Sequence, residues 1–196
     1  LAQAAKSAKP PASSQRLLNP AQLNETAPAQ YKVHVSTTKG DFVIQVTRAW
    51  APLAADRFFN LVKNGFYDGC AFYRVLPGFV AQFGLHPNPA IQAKWEKATL
   101  ADEPVKRSNV LGLVAFAADG ANSRNTQVFI SLKDNKSLDR LGFPPFGDVV
   151  QGIGVLARLH GGYGEKPDSQ RILKQGNAYL KRTFPNLDYI TKATIQ

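Results

Sequence analysis

Ordered structure begins, on the pattern of apolar and polar positions, near Tyr31. Val33 and Val35 alternate with polar residues, Thr38-Lys39-Gly40-Asp41 offers a turn, and Phe42, Ile44 and Val46 resume the alternation. A period of two on both sides of a turn predicts a β-hairpin. The period then lengthens. Between Ala51 and Gly65, the residues Ala54, Phe58, Leu61 and Val62 can share one face of a helix. Pro52 fits the first turn of that helix and Gly65 the position just past its end. Further on, apolar runs at 113–118 and 128–130 flank a turn-rich middle, Asp119-Gly120-Ala121-Asn122-Ser123. Residues 1–30 differ. They are rich in Ala, Pro, Ser and Gln, show little apolar periodicity, and predict a flexible extension ahead of one domain over 31–196. On this reading, deleting residues 1–28 leaves turnover and melting temperature unchanged.

One charged residue interrupts an apolar run. Residues 72–84 read Phe-Tyr-Arg-Val-Leu-Pro-Gly-Phe-Val-Ala-Gln-Phe-Gly, with Arg74 as the cation. A charge there is costly to bury unless it is paired or used. Gln82 follows at an even offset, which on a continuous strand would put both side chains on one face. Pro77-Gly78 predicts a bend between them, which weakens that parity. The segment reads as a small apolar pocket with one polar tool, or as a half-buried strand whose arginine reaches the surface.

Composition narrows the class. The 196 residues suffice for one domain with a sizeable core, and apolar and charged fractions are those of a globular protein. No apolar run approaches the ~20 residues of a transmembrane helix. The formal charge of +10 is scattered, with no dense Lys/Arg run and no zinc-finger spacing, so no nucleic-acid partner is expected. The lone cysteine, Cys70, excludes an intramolecular disulfide and reads as a structural thiol. His34, His86 and His160 lie far apart in sequence, so no metal site is expected. The opening Leu-Ala-Gln-Ala-Ala has the small-residue character found around leader cleavage sites. It gives the expectation of a processed chain in the periplasm or outside the cell, with the cytoplasm as the alternative.

Taken jointly, Phe72-x-Arg74, Pro77-Gly78-Phe79, Gln82, Gln127-x-Phe129-Ile130, Leu138-Asp139 and Phe146-Gly147 resemble the cyclophilin family of peptidyl-prolyl isomerases. The resemblance spans 31–165 and extends to the C-terminal strand. It implies a mainly β fold, a closed antiparallel eight-stranded barrel capped by two α-helices. Strands are then expected at 72–74, 79–83, 111–117, 128–132 and 147–149, with a second plug helix over 149–159. Read from the residues, Pro87-Asn88-Pro89 and the charges after it predict a long irregular loop over 85–109, followed by a short helix within 169–182 and a closing strand over 187–195. No cofactor is implied, and the protein is expected to act as a monomer on proline-containing polypeptides. Carried over position by position, the catalytic residues are Arg74, Phe79 and Gln82. The substrate-binding residues are Val80, Ala117, Ala118, Gln127, Phe129, Leu138 and Phe143.

Three positions depart from the common pattern of that family. Ser137 stands where many members carry a pocket tryptophan, Phe143 where many carry a histidine, and Val80 where methionine is common. The loop from Asp139 to Pro145 is one residue longer than usual. Losing the indole removes a large contact surface with an N–H handle, which implies weaker binding of cyclosporin. Two functions compete: an isomerase that assists folding, and a binding module that holds proline segments without turnover. Arg74 separates them, because a module that only binds has no need of it. A third reading, a basic adaptor for anionic surfaces, would show steeply salt-dependent binding.

Overall fold

The computed structural model describes residues 12–196. The predicted hairpin is present as β1 (Gln30–Thr37) and β2 (Gly40–Thr47), paired antiparallel from Gln30↔Thr47 to Thr37↔Gly40. Tyr31, Val33 and Val35 face the core together with Phe42, Ile44 and Val46, as the alternation requires. The remaining strands are β3 (Arg74–Leu76), β4 (Val80–Phe83), β5 (Leu113–Phe116), β6 (Val128–Ser131), β7 (Pro145–Gln151) and β8 (Ile190–Ile195). Among the described residues they form one antiparallel sheet of eight, in the order β3-β4-β6-β5-β7-β2-β1-β8.

That sheet curls without closing by a continuous ladder. The edge strands β3 and β8 are joined only through the segment before β3, by an isolated bridge between Ala71 and Tyr189. Phe72 N–H donates to Asp188 O at 2.9 Å and Gly69 N–H to Ile190 O at 2.8 Å, stitching the same seam. The expected closed barrel is therefore an open, curled sheet. The expected pair of capping helices is also revised. One full helix, α2 (Pro52–Lys63), packs on β7 and β8. The second shrinks to one turn, α5 (Ile153–Leu156), because β7 runs on to Gln151 and Gly152 at φ +75° starts the turn late.

The ends of α2 show how distant residues complete a local signal. No side chain caps its N-terminus from within. Instead the Glu103 carboxylate accepts from Leu53 N at 2.7 Å and Ala54 N at 3.1 Å, which also suits the positive end of the helix dipole. At the other end, Phe66 N–H donates to Leu61 O and Gly65 N–H to Val62 O, both at 2.9 Å, the bonding pattern of a Schellman stop.

Two regions are more helical than expected. Residues 85–109 contain α3 (Pro89–Trp95), whose Asn88 side chain accepts from Ala90 N at 2.9 Å with Pro89 in the first turn. Trp95 is fully buried, and its Nε1–H donates to Leu17 O at 2.9 Å. After α4 (Ser137–Arg140), the C-terminal part carries two helices where one was expected, α6 (Ser169–Gln175) and α7 (Asn177–Thr183). Ile172, Tyr179 and Leu180 form a second small core with Tyr73, Leu85, Phe184 and Leu187.

The boundary expected at residue 30 also moves. Residues 1–11 lie outside the described residues, but a first helix, α1 (Ala12–Leu17), is followed by a chain that packs on the domain. Leu17, Leu23 and Ala27 are at most 5% exposed and belong to the main core. The physical reason is spacing. Scattered apolar residues make no amphipathic face of their own, but Leu17, Leu23 and Ala27 are each buried in the main core.

Candidate active site

Strand alternation divides this part of the sheet into two faces. Val75, Ala81, Val114, Phe116, Val128 and Ile130 point into the main core. Arg74, Val80, Gln82, Ala115 and Phe129 point the other way. The register places them side by side: Arg74↔Gln82 across β3–β4, Gln82↔Phe129 across β4–β6 and Ala115↔Phe129 across β5–β6. Arg74 and Gln82 do share a face, but as partners across a hairpin rather than along one strand. Pro77-Gly78 makes the turn, with Gly78 at φ +71° and Phe79 N–H donating to Leu76 O at 2.9 Å. Proline followed by a residue of positive φ is the chemistry of a type II turn.

On this outer face, Val80, Ala115, Phe129 and Leu138 form a buried cluster of their own, with Phe79, Ala117 and Phe143 packed around it. Phe143 stands edge-on to Phe129, with centroids 5.7 Å apart and planes at 80°. The loop carrying Leu138 and Phe143 is held from behind. Asn109 donates from its backbone N and its Nδ2 to Asp139 Oδ1, both at 2.8 Å, and from Nδ2 to Phe143 O at 2.9 Å. Desolvation pushes the Asp139 carboxyl up, but the hydrogen bonds from Ser108 and Asn109 outweigh it and hold it below the usual range. Asn135 Nδ2 donates to Phe79 O at 2.8 Å, fixing the opposite wall.

Beside this apolar pocket stands a polar wall. Arg74 Nη1 donates to Gln82 Oε1 at 3.2 Å, while Nε and Nη2 donate to Glu165 Oε1 at 2.8 and 2.6 Å. The guanidinium also lies 5.8 Å from the Phe79 ring centroid. Gln82 Nε2 donates to Tyr73 Oη, which donates in turn to Gln127 Oε1, both at 2.5 Å. Apolar pocket and polar wall share one cleft of about 790 Å³, lined by every sequence-predicted site residue. Ala117 N–H is occupied by Gln127 O at 2.9 Å, which leaves the Ala117 carbonyl and the Ala118 backbone to meet an extended peptide.

Several lining residues escape the sequence reading. Tyr73 sits beside Arg74 but alternation assigns it to the other face, and no pattern marks its hydroxyl as part of the site. Glu165 is 91 residues away from Arg74, so nothing local announces the ion pair. Leu141, 68% exposed, forms part of the rim, whereas the exposed Ser137 does not line the cleft. Residues 166–170 and Leu173 supply a further wall, which exists because α6 folds against the second core. Among the described residues, no group of three or more His, Cys, Asp or Glu side chains is placed to hold a metal ion. Cys70 is fully buried, and burial pushes its thiol well above the ordinary range.

Phe129→Ala tests the pocket. Removing a ring that is 5% exposed is expected to weaken binding of a proline peptide. It is also expected to lower stability by about 1.5–3 kcal/mol. An NMR titration of the unmodified protein is expected to shift Phe79, Phe129 and Leu138 together. Shifts confined to residues 85–109 would place the peptide elsewhere.

The site is thus an apolar pocket flanked by the Arg74 guanidinium and the Ala117–Ala118 backbone, on the outer face of a curled antiparallel sheet. The family model described as cyclophilin type peptidyl-prolyl cis-trans isomerase/CLD matches residues 32–177. A peptidyl-prolyl cis-trans isomerase of Acinetobacter baylyi is 33% identical over 67% of this chain and 72% of its own length. Peptidyl-prolyl cis-trans isomerase A of Dickeya dadantii is 32% identical over 65% of this chain and 70% of its own length. Among solved structures, a cyclophilin-type isomerase of Cryptosporidium parvum crystallised in the presence of the dipeptide Ala-Pro superimposes with a TM-score of 0.64. It shares 20% identity and covers 84% of this chain and 98% of its own. The chain belongs to the cyclophilin-type peptidyl-prolyl cis-trans isomerase family.

Proposed function

We propose that this chain catalyses rotation about X–Pro bonds of polypeptides and so assists their folding, with Arg74 as the catalytic donor. The observation that carries this reading is the placement of a fixed guanidinium at the lip of an apolar ring pocket. The uncatalysed barrier is about 18–20 kcal/mol because the amide has partial double-bond character. As the bond twists, the proline nitrogen becomes pyramidal and regains a lone pair. A donor aimed at that nitrogen stabilises the twisted state more than either planar isomer, which is what catalysis requires. No bond is broken, and the reaction asks only for positioning and one strong donor.

The roles divide as the geometry does. Phe79, Val80, Phe129, Leu138 and Phe143 hold the proline ring. Gln82 orients Arg74. Gln127, Ala117 and Ala118 meet the residues before proline in extended form. Phe143 meets Phe129 edge-on, so an aromatic wall occupies the place of the family's common histidine. Main chain and ring supply most of the recognition, which favours broad sequence tolerance. A protease-coupled assay on a short X-Pro peptide tests the reading directly. Peptide binding without any acceleration over the uncatalysed rate would support the binding module instead.

Cyclosporin is expected to bind more weakly than to relatives with a tryptophan before Leu138, because Ser137 is exposed and stands off the cleft. Ser137→Trp is expected to tighten it. An aromatic contact of about 0.5–1.5 kcal/mol corresponds to a gain of roughly three- to tenfold. Isothermal titration of both forms checks this, and tight binding to the unmodified protein would show that the position matters little.

A further inference from the structure

We infer that Tyr73 is a positioning residue that fixes which end of the Gln127 amide faces the substrate, through a one-way chain of hydrogen bonds beginning at Arg74. The direction of that chain follows from valence. A guanidinium donates and never accepts. Gln82 must therefore turn its carbonyl oxygen to Arg74, here at 3.2 Å. Its NH2 end is then committed to the Tyr73 hydroxyl at 2.5 Å. A hydroxyl that accepts from Gln82 has a single proton left to give, and it gives it to Gln127 Oε1 at 2.5 Å. That oxygen also faces Gln82 Nε2 at 3.3 Å, so the carbonyl end of Gln127 is engaged within the wall. The Nε2 end is left for the cleft that Gln127 lines.

The consequence is selective. The site presents an N–H donor to the residue before proline and so takes a carbonyl acceptor there. Reversing any amide would set donor against donor. The arrangement needs a hydroxyl that stays put and stays protonated. Tyr73 is 4% exposed, and its ring is clamped among Ala71, Leu85, Ile172, Tyr179 and Leu180. Burial raises its phenol well above the ordinary range, so the proton is retained throughout the working pH range. The α6–α7 helices thus reach the active site through this ring.

Since this inference rests on the isomerase reading, the unmodified protein is assayed first on a short X-Pro peptide. Absence of turnover there would defeat that reading and leave the amide orientation to the measurements that follow. Tyr73→Phe keeps the ring and removes the hydroxyl. It is expected to raise KM more than it lowers kcat and to reduce kcat/KM about three- to tenfold, the worth of one hydrogen bond. In a Gln127→Ala background the same substitution is expected to cost little, because its effect runs through Gln127. Equal losses in both backgrounds, or wild-type kinetics, would overturn the inference. A second measurement needs no variant. In the unmodified protein, exchange of the Gln82 side-chain N–H protons is expected to be slow. Those of Gln127 are expected to exchange fast and to shift when an X-Pro peptide is added. The reverse pattern would refute the chain as drawn.

Discussion

Arg74→Ala is expected to lower kcat by about 10²–10³, the usual cost of deleting one preorganised donor to a transition state. The fold is expected to survive. Arg74 is 28% exposed, and its carboxylate partner Glu165 is 63% exposed, so their ion pair lies in screened surroundings. Such pairs contribute about 0–1 kcal/mol to stability. Arg74→Lys is expected to recover little. The guanidinium meets Gln82 with one nitrogen and Glu165 with two others, and that planar fork fixes where its remaining N–H bonds point. An ammonium on a flexible stem keeps the charge and loses the plane. Protease-coupled turnover, read beside a thermal melt, separates lost chemistry from lost structure. Near-full activity in the alanine variant would remove Arg74 from its catalytic role.

The face that carries the candidate site was legible because it is made of short, patterned pieces. Alternation gave the hairpin of β1 and β2, and Pro77-Gly78 placed a turn where the structure has one. The motif positions, read jointly, named the residues of the apolar pocket together with Arg74, Gln82 and Gln127. What escaped depends on contacts distant in sequence. Glu165 joins Arg74 only once the chain returns past β7, and Glu103 caps α2 from 50 residues away. Closure of the sheet was beyond any local signal, since it depends on how far β3 and β8 run along each other. In one place the signal was present and misread. Asn88-Pro89 is an N-cap followed by a first-turn proline, the pair that opens α3, although Pro87-Asn88-Pro89 reads as a breaker cluster.

The N-terminal segment now leads to the opposite of what its composition implied. Leu17 is 2% exposed and Leu23 5%, both within the main core. Asn60 on α2 clasps the segment in both directions, accepting from Glu25 N at 3.1 Å and donating to Glu25 O at 2.7 Å. Asp56 accepts from Ala27 N at 2.9 Å, and the buried Trp95 indole depends on Leu17 O. Deleting residues 1–28 would strip these partners from Asn60, Asp56 and Trp95 as well as expose apolar surface. Two buried leucines at about 1.5–3 kcal/mol each, with roughly 2–4 °C of melting temperature per kcal/mol in a domain of this size, predict a fall of about 6–24 °C. Leu17→Ala alone is expected to cost about 2–5 kcal/mol. None of residues 15–28 lines the cleft, so turnover of the folded protein well below the new transition is expected to match that of the full chain. A melting temperature within two or three degrees of the full chain's, measured by circular dichroism, would mean that this packing contributes little and that the domain begins at Tyr31 after all.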